Sequence, residues 1–286
     1  MKIRKAIVRR RGGPEVLELI EDAIAPPGRG EVQVRVHVTG VAFADALMRE
    51  GLYPAVKIPF TPGADVAGVV VQVGEGVEGL AEGQRVAAFL QTGGAAERIN
   101  VPAARVVPQP DGDLDPAQVV ALILNYLTAY QMMHRVAACH PGDRVLIHGA
   151  AGGVGTALMQ LGRLRGLAMY GTASAGKHDV VRDHGAVPID YRAEDFVAVI
   201  ERTGAGMDAV FDPIGGGHWR RSFETLRAGG VLVGYGLSAA TKNGQRSLPR
   251  LLKVFVRSPR YSLFRLMDRG RGLCGYMSYP FNTERP

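Results

Sequence analysis

The stretch RVLIHGAAGGVGTALMQLGR (residues 144–163) decides the fold class. It joins a short apolar strand, the glycine-rich run GAAGGVG (149–155) and the first turns of a helix. Glycines at such a point allow a tight turn and a close approach to phosphate, and the free N–H groups of the helix N-terminus face the anion. Ala150, Gly152 and Gly155 give the spacing A-x-G-x-x-G. The stretch therefore predicts a dinucleotide-binding turn; the alternative is a glycine-rich turn without a ligand.

Strand-like runs and helical segments alternate around this turn. The predicted strands are RVLIHGA (144–150), AMYGTA (168–173), VPID (187–190), DAVFDPIG (208–215) and GVLVGYG (230–236). The predicted helices lie near residues 154–166, 177–184, 194–203 and 218–227. Five strands alternating with helices indicate an α/β fold with a doubly wound parallel sheet. GLCGYMSY (272–279) is a poor candidate for a sixth strand.

The first 120 residues follow a different pattern. β-Branched runs bounded by Gly and Pro predict strands, and DALMREG predicts one or two helical turns. The strand candidates are KAIVRR, EVQVRVHVTG, VAGVVVQVG, the end of GEGVEGLAEGQRV and AAERINVP. Residues 1–120 are therefore expected to form an irregular, mostly antiparallel, barrel-like domain. A helical stretch from Asp115 to about Arg135 leads into the dinucleotide-binding domain, expected over residues 121–270.

Composition excludes several classes of protein. The chain has 286 residues, of which 47% are hydrophobic and 21% charged, a globular composition and not that of a disordered protein. Two cysteines, Cys139 and Cys274, are too few for a disulfide scaffold or a four-cysteine zinc site. No apolar run follows the basic N-terminus, and none reaches the roughly 20 residues that a membrane span needs. We expect a cytoplasmic protein.

The net charge of +7 is concentrated near the C-terminus. Residues 242–286 contain ten Lys/Arg and two acidic residues. Arg246, Arg250, Lys253 and Arg257 recur at helical spacing opposite an apolar side. This spacing favours a solvated basic helix face over a nucleic-acid surface, so nucleic acid ranks last among the partners considered.

The loop after the second strand indicates the cofactor. NAD enzymes place an acidic residue there to bind the ribose 2′-hydroxyl. Here the strand ends in Ala173-Ser174 without a carboxylate, and Lys177 adds a positive charge. Ser174 and Lys177 suit a 2′-phosphate, which predicts NADPH; the alternative for Lys177 is an ordinary surface lysine.

These residues resemble the medium-chain dehydrogenase/reductase superfamily, and within it the zinc-free quinone oxidoreductase group with the VAT-1-like proteins. The matching runs include GVAFADALMREGLYP, PFTPGADVAGVVVQVGEGV, NYLTAYQMM, HGAAGGVGTALMQLGR, GTASAGKHD, PIDYRAEDF and VFDPIGG. The resemblance covers residues 1–257. It implies a GroES-like, mostly β N-terminal domain and a Rossmann domain that binds NADPH.

The resemblance also implies roles for single residues. Ten residues would contact the cofactor: Thr128, Gly152, Gly153, Val154, Gly155, Ser174, Lys177, Tyr191, Tyr235 and Leu237. Tyr53 of GLYP resembles a residue at the substrate mouth and is the candidate catalytic residue; the alternative is a turn aromatic packed on Pro54. Zinc-dependent relatives carry Cys and His where this chain has Ala42 and Ala64, so no metal is expected. Quinone reductases often carry Asn at the first of these positions, and its loss makes the substrate pocket less polar.

Beyond Arg257 the resemblance fades, and residues 271–286 are interpreted as a divergent tail. The family's returning segment has no counterpart in the sequence, which indicates a C-terminally truncated family member.

The expected function is NADPH-dependent hydride transfer, without zinc, to a small-molecule acceptor: a quinone or an α,β-unsaturated carbonyl. Two alternatives stay open, a VAT-1-like NADPH-binding protein with little turnover that associates with a membrane surface, and an inactive truncated product. A homodimer is a further possible assembly.

Overall fold

The structure is a computed structural model that describes residues 1–53, 56–110, 112, 114–242 and 245–278. The chain divides into two compact units. The first contains Met1–Leu124 and Gly244–Arg246, and the second contains Asn125–Asn243 and Ser247–Pro286. Each is described by itself.

The first unit is built from antiparallel strands. Its strands are β1 (Lys2–Val8), β2 (Leu17–Ala23), β3 (Glu31–Thr39), β4 (Asp65–Val73), β5 (Arg85–Phe89), β6 (Arg98–Pro102) and β7 (Val106–Pro108), and its helix α1 is Phe43–Arg49. Strands β1 and β2 form a hairpin, and the others form a five-stranded sheet in the order β6-β3-β4-β5-β7. The predicted strands and the short helix are confirmed. The sequence reading missed β2 and β7.

The core of the five-stranded sheet is rich in valine. Val32 and Val34 of β3, Val66 and Val70 of β4 and Val86 of β5 are at most 1% exposed and belong to one cluster. β-Branched side chains on alternate positions of paired strands pack well against one another. Strand β2, which was not predicted, contains no buried residue and carries charged residues at three of its seven positions, so its sequence lacks the buried stripe that indicates a strand.

The second unit contains a six-stranded sheet within the part of the chain that the structure describes, and all its strand pairs are parallel. The strands are β8 (Arg144–His148), β9 (Ala168–Ala173), β10 (Ala186–Asp190), β11 (Met207–Asp212), β12 (Leu226–Gly234) and β15 (Gly272–Gly275). Between β12 and β15 the chain forms a separate pair of two-residue strands, β13 (Thr241–Lys242) and β14 (Gln245–Arg246). The helices are α2 (Pro116–Tyr130), which begins in the first unit and continues as a π-helical turn (Gln131–Val136), α3 (Gly153–Arg165), α4 (His178–Asp183), α5 (Phe196–Arg202), α6 (Gly217–Glu224), α7 (Leu248–Arg257) and α8 (Leu263–Arg269). The predicted strand–helix alternation is confirmed.

The strand order in this sheet is β10-β9-β8-β11-β12-β15. From β8 the chain first adds β9 and β10 on one side, and then adds β11, β12 and β15 on the other side of β8. The direction in which strands are added therefore reverses between β8 and β11, which is the switch point of the sheet. In doubly wound sheets ligands bind outside the carboxyl ends of the strands at such a point. Strand β15 pairs with β12 in parallel, so the poor sixth-strand candidate does form a strand.

Among strands β8 to β12, two boundaries differ from the predicted ones by three residues or more. Strand β11 ends at Asp212, three residues before the predicted end, because Pro213 cannot donate to the strand ladder. Strand β12 begins at Leu226, four residues before the predicted start, since Leu226 pairs with Met207 across a register shift.

Helices α7 and α8 leave many large apolar side chains exposed. Phe255 is 62% exposed, Val256 73% and Phe264 82%. Among the described residues, no helix has the length and apolar content required to span a bilayer.

Candidate cofactor site

The turn between β8 and α3 presents unpaired backbone donors. Gly149 has φ +65°, a left-handed conformation that favours glycine, and the Gly152 N–H donates to the Gly149 carbonyl at 2.9 Å. The first intrahelical bond of α3 joins the Thr156 N–H to the Gly152 carbonyl at 2.8 Å. The N–H groups of Gly153, Val154 and Gly155 therefore have no acceptor within the helix and are available to an anion.

Two glycines of the turn differ in the space around them. A Cβ on Gly155 would lie 2.4 Å from the Gly149 carbonyl oxygen and 2.5 Å from that of Ala150, so the helix packs backbone to backbone on the turn. A Cβ on Gly153 would meet the Asn125 side chain at 2.8 Å. Gly152 and Gly153 are exposed. The turn is open to a ligand on one side and closed by its own backbone on the other.

Helix α2 lies beside this turn. Asn125, the first residue of NYLTAY, is the side chain next to Gly153. Thr128 lies one helical turn further on and is 6% exposed. The structure thus places Asn125 at the glycine turn. This residue was not predicted as part of the site.

Ser174 and Lys177 share one short turn after β9. A 3-10 helix covers Ala175–Lys177, with Ser174 as its N-cap residue, and the Lys177 N–H donates to the Ser174 carbonyl at 2.8 Å. Ser174 is half-buried and Lys177 exposed. A hydroxyl and an ammonium on one turn can both contact a phosphate.

The loop after β10 lies at the same edge of the sheet. Asp190 pairs with Ala173 in the parallel register, so Tyr191 follows β10 where Ser174 follows β9. Tyr191 is 55% exposed, and the Arg192 guanidinium carbon lies 5.6 Å from the centre of its ring. Arg192, which was not predicted as a site residue, adds a second positive charge near this edge.

Tyr235 and Leu237 follow the carboxyl end of β12. The Tyr235 N–H donates to the Asp212 carbonyl at 3.1 Å. Burial of the Tyr235 phenol raises its pKa, and the nearby Asp212 charge raises it further. Leu237 packs close to Gly215, where an added Cβ would lie 3.0 Å from its Cδ2. Both residues lie at the carboxyl ends of β11 and β12.

A buried polar cluster lies below these loops. His148 Nδ1 is 3.1 Å from Thr172 Oγ1, and His148 Nε2 is 3.1 Å from Ser222 Oγ. Ser222 Oγ and His218 Nδ1 each donate to Asp212 Oδ2 at 2.7 Å. His148, Asp212 and Ser222 have no exposed surface. The sequence reading interpreted His148 as a local strand-end residue and did not predict the cluster.

The cluster holds a charged carboxylate and neutral imidazole. Burial would raise the pKa of Asp212, but the hydrogen bonds from His218 and Ser222 and the nearby imidazoles lower it to about 2. Burial lowers the pKa of His148 to about 3. At neutral pH Asp212 is therefore ionised and His148 is uncharged.

His148, Asp212 and His218 are also residue types that bind metals, and their ligand atoms lie within 4.8 Å of one another. Ligands at about 2.0–2.1 Å from a tetrahedral zinc ion lie well over 3 Å apart. The 2.7 Å between His218 Nδ1 and Asp212 Oδ2 is a hydrogen-bond distance. The donors and acceptors of this cluster are thus already matched to one another.

The zinc positions of the related dehydrogenases lie in the first unit. The Ala42 N–H donates to Asp45 Oδ2 at 2.8 Å, and the Gly63 N–H, beside Ala64, donates to Asp45 Oδ1 at 3.0 Å. The two turns are joined through this carboxylate, and neither alanine offers a ligand atom. Burial raises the pKa of the Cys139 thiol to about 12, which disfavours a metal-binding thiolate there.

Tyr53 also belongs to the first unit. Its ring packs against a hydrophobic cluster that contains Met48 and Phe60, and burial raises the pKa of its phenol. The phenol is therefore protonated at neutral pH and can donate a hydrogen bond. The alternative packing on Pro54 lies outside the described residues.

Comparisons with known proteins identify both units. Residues 28–111 match the family described as the alcohol dehydrogenase GroES-like domain, and residues 153–280 match the family described as zinc-binding dehydrogenase.

The chain is 36% identical over 271 residues to the synaptic vesicle membrane protein VAT-1 homolog of Rattus norvegicus, covering 93% of this chain and 67% of that protein. It is 34% identical over 243 residues to a 2-haloacrylate reductase of a Burkholderia species, covering 82% of this chain and 73% of that protein. The chain spans about two thirds of the length of the mammalian VAT-1 relatives that it matches.

A solved structure is similar over both units. The quinone oxidoreductase of Escherichia coli complexed with NADPH superposes with a TM-score of 0.83 at 30% identity, covering 97% of this chain and 82% of that one. These matches agree with the GroES-like unit, the parallel sheet and the glycine turn. The chain belongs to the medium-chain dehydrogenase/reductase superfamily, in the oxidoreductase group that contains the zinc-free quinone oxidoreductases and the VAT-1-like proteins.

Proposed function

We propose that this protein is an NADPH-dependent oxidoreductase that reduces quinones or α,β-unsaturated carbonyls without zinc. The observation that carries the proposal is the turn of residues 149–155, where the N–H groups of residues 153–155 have no acceptor within the helix, next to the switch point of the sheet. The related E. coli quinone oxidoreductase was solved with NADPH, and the Burkholderia relative reduces a 2-haloacrylate, an activated alkene.

The residues of the second unit fit NADPH. The N–H groups of residues 153–155 suit the pyrophosphate, and Gly152 and Gly153 are exposed. Ser174 and Lys177 suit the 2′-phosphate, since no carboxylate lies in their turn. Tyr191 is proposed beside the 2′-phosphate and Thr128 near the nicotinamide ribose. Tyr235 and Leu237, after the carboxyl end of β12, are proposed for the nicotinamide side.

Bound NADPH would supply the hydride for the reduction of the acceptor. The chain's own contribution is to hold the cofactor, exclude water and place a polar group near the developing oxyanion. Tyr53 is the proposed donor to that oxygen, because GLYP resembles the run at the family's substrate mouth and a tyrosine phenol carries its proton at neutral pH. Ala42 and Ala64 provide no metal ligand, so the proposal uses no zinc.

The direct test is NADPH oxidation by the purified chain with a panel of acceptors. We expect turnover with 1,4-benzoquinone or an enone such as 2-cyclohexenone, and none with simple ketones. Tyr53→Phe is expected to lower kcat/KM by at least about 100-fold, because a general acid typically contributes about 10²- to 10⁴-fold, while NADPH affinity is unchanged. Unchanged kcat/KM in Tyr53→Phe would remove Tyr53 from the mechanism, and turnover of none of these acceptors would contradict the proposed activity.

A second candidate function is binding to an anionic membrane surface, favoured by helices α7 and α8. Phe255 of α7 and Phe264 of α8 are exposed apolar side chains. Helix α7 also carries the basic residues Arg250, Lys253 and Arg257. Exposed apolar groups beside basic ones are typical of helices that lie on anionic lipid. A second copy of this surface would bring like charges together, which disfavours self-association here. The rat relative is described as a vesicle membrane protein.

Co-sedimentation with vesicles tests this candidate. The protein should sediment with phosphatidylcholine vesicles that contain phosphatidylserine, and less so at high salt. The double variant Phe255→Ser/Phe264→Ser should lose this binding while its far-UV circular dichroism is retained, because both side chains are exposed. Absence of binding, or equal binding to pure phosphatidylcholine, would rule the candidate out.

A further inference from the structure

Asp212 lies where two loops of the second unit meet. It ends β11 and begins the turn of residues 213–216, and its own carbonyl accepts the N–H of Tyr235, which begins the turn of residues 235–238. We call these two segments the paired turns. The second of them carries Tyr235 and Leu237, the residues proposed for the nicotinamide side of the cofactor.

One carboxylate oxygen of Asp212 shapes the first turn. Oδ1 accepts the N–H of Ile214 at 2.7 Å and that of Gly215 at 3.4 Å. Gly215 and Gly216 then have φ values of +89° and +62°, so the backbone reverses around the side chain. The conformation of residues 213–216 depends on a charged acceptor at this point, because the N–H groups otherwise lack a partner at a buried position.

The first turn holds the second one directly. The Ser238 N–H donates to the Pro213 carbonyl and the Ala239 N–H to the Ile214 carbonyl, both at 3.0 Å. At Gly236 an added Cβ would lie 2.6 Å from the Pro213 oxygen, so the two backbones are in close contact. A displacement of residues 213–214 is therefore transmitted to the segment that carries Tyr235 and Leu237.

The other carboxylate oxygen fixes the proton positions of the cluster below. An ionised carboxylate only accepts, so Ser222 Oγ and His218 Nδ1 both donate to Oδ2. Ser222 Oγ has used its proton and accepts from His148 Nε2, which leaves His148 Nδ1 to accept from Thr172.

The same chain of hydrogen bonds reaches the glycine turn. Thr172 Oγ1 accepts the Gly149 N–H at 3.2 Å, and the Thr172 carbonyl accepts the Ala150 N–H at 3.0 Å. An ordered series of donors thus runs from Gly149 through Thr172, His148 and Ser222 to the Asp212 carboxylate. The series connects the turn proposed for the pyrophosphate with the paired turns.

We propose that Asp212, with His218 and Ser222 as its fixed donors, is a positioning residue that sets the paired turns for the nicotinamide half of NADPH. The proposal rests on the proposed function, since it assumes that the second unit binds this cofactor. It assigns no contact between Asp212 and the cofactor, because the carboxylate is fully buried.

The test separates the two halves of the cofactor. Affinities for NADPH and for 2′,5′-ADP, which lacks the nicotinamide half, are measured by calorimetry on wild type, Asp212→Asn and Asp208→Asn. Asp208 is the matched control, since it is a largely buried carboxylate at the opposite end of the same strand, where it accepts the Arg144 N–H at 2.9 Å and pairs with Arg227.

In Asp212→Asn an amide NH2 replaces one of the two carboxylate oxygens, each of which accepts two hydrogen bonds. We expect NADPH affinity to fall at least tenfold and 2′,5′-ADP affinity to stay within about twofold, because leaving buried donors unpaired disturbs the paired turns and not the 2′-phosphate loop. Asp208→Asn should leave the ratio of the two affinities at its wild-type value even if it lowers the melting temperature.

A pair of variants at His218 provides a second test if Asp212→Asn does not fold. His218 is 20% exposed, so its replacement is milder. His218→Ala removes the Nδ1 donor, whereas the amide nitrogen of His218→Asn can take its place. The ratio of NADPH affinity to 2′,5′-ADP affinity should fall several-fold in His218→Ala and recover in His218→Asn. A loss of packing alone would not give this recovery, because both variants remove the imidazole ring.

Three results would overturn the proposal: an unchanged ratio in Asp212→Asn, an equal fall of both affinities in that variant, or a His218→Asn variant no better than His218→Ala. Failure of the proposed function gives a different result, since wild type itself would then bind neither NADPH nor 2′,5′-ADP.

Discussion

The turn after β8 and the turn after β11 lie at the same edge of one parallel sheet, but they are held in different ways. The first depends on missing side chains: Gly149 adopts a positive φ and Gly155 packs on the turn's own carbonyl groups. The second depends on a buried side chain, since the Asp212 carboxylate accepts the N–H groups of Ile214 and Gly215. Backbone sterics define one turn, and a charged acceptor defines the other.

Breaking the first turn should have the largest effect. In Gly155→Ala the new Cβ meets two backbone oxygens that cannot move unless the turn opens. We expect NADPH affinity to fall more than about 100-fold, with an overpacking cost of about 1–3 kcal/mol in the free energy of unfolding. Fluorescence titration and urea denaturation measure the two effects.

Gly275→Ala is the control for this variant. Gly275 ends β15 in the same sheet, and nothing lies within 4 Å of the Cβ it would gain. It should bind NADPH as wild type does. Wild-type affinity in Gly155→Ala would show that the turn tolerates a side chain there, and the backbone explanation would be wrong.

The side-chain network predicts a pH dependence of stability. Burial lowers the pKa of His148 to about 3, against 6.5 for a free histidine. As the pH falls below 6.5 the unfolded chain takes up a proton that the folded chain does not, so stability decreases. Asp212 stays ionised in this range because its pKa is about 2.

When the pH is lowered from about 7.5 to about 5.5, His148 should reduce the free energy of unfolding by about 1.4 kcal/mol. His148→Gln should lose that part of the dependence, and His140→Gln, at an exposed histidine, is the comparison variant. Urea denaturation at the two pH values measures both. The same pH slope in His148→Gln as in wild type would show that His148 does not hold its buried, uncharged state.

The loop at Ser174 and Lys177 should give the smallest effect, because Lys177 is exposed and its charge is screened. Lys177→Ala is expected to weaken NADPH binding about fivefold and to leave NADH binding unchanged, as for a single exposed ion pair. Lys253→Ala makes the same change of charge on α7. Equal losses for the two cofactors in Lys177→Ala would show that this lysine does not contact the 2′-phosphate.

The contrast between the turns explains how much the sequence could predict. Glycines 149, 152, 153 and 155 are neighbours in the chain, so their pattern between a strand and a helix is visible directly, and the parallel sheet follows from the alternation around it. The Asp212 network joins residues at positions 148, 172, 212, 218 and 222, and no local spacing connects them. The pairing of β9, β8 and β11 and the packing of α6 against β11 bring them together.

The other features that the sequence did not predict have separate physical reasons. Strand β2 carries charges on exposed positions and lacks a buried stripe, so it gave no signal. Asn125 lies within NYLTAY, but its contact with Gly153 depends on where the end of α2 lies relative to the turn. Tyr53 stays a prediction, since its packing against Met48 and Phe60 defines its surroundings and not its chemistry.

The most direct measurement is a fluorescence titration of the purified chain with NADPH and, separately, with NADH. Three free N–H groups at the glycine turn, together with Ser174 and Lys177 on one loop without a carboxylate, predict saturable binding of both with clearly tighter binding of NADPH. A folded chain that binds neither nucleotide, or that binds NADH at least as tightly, would contradict the cofactor site described for the second unit.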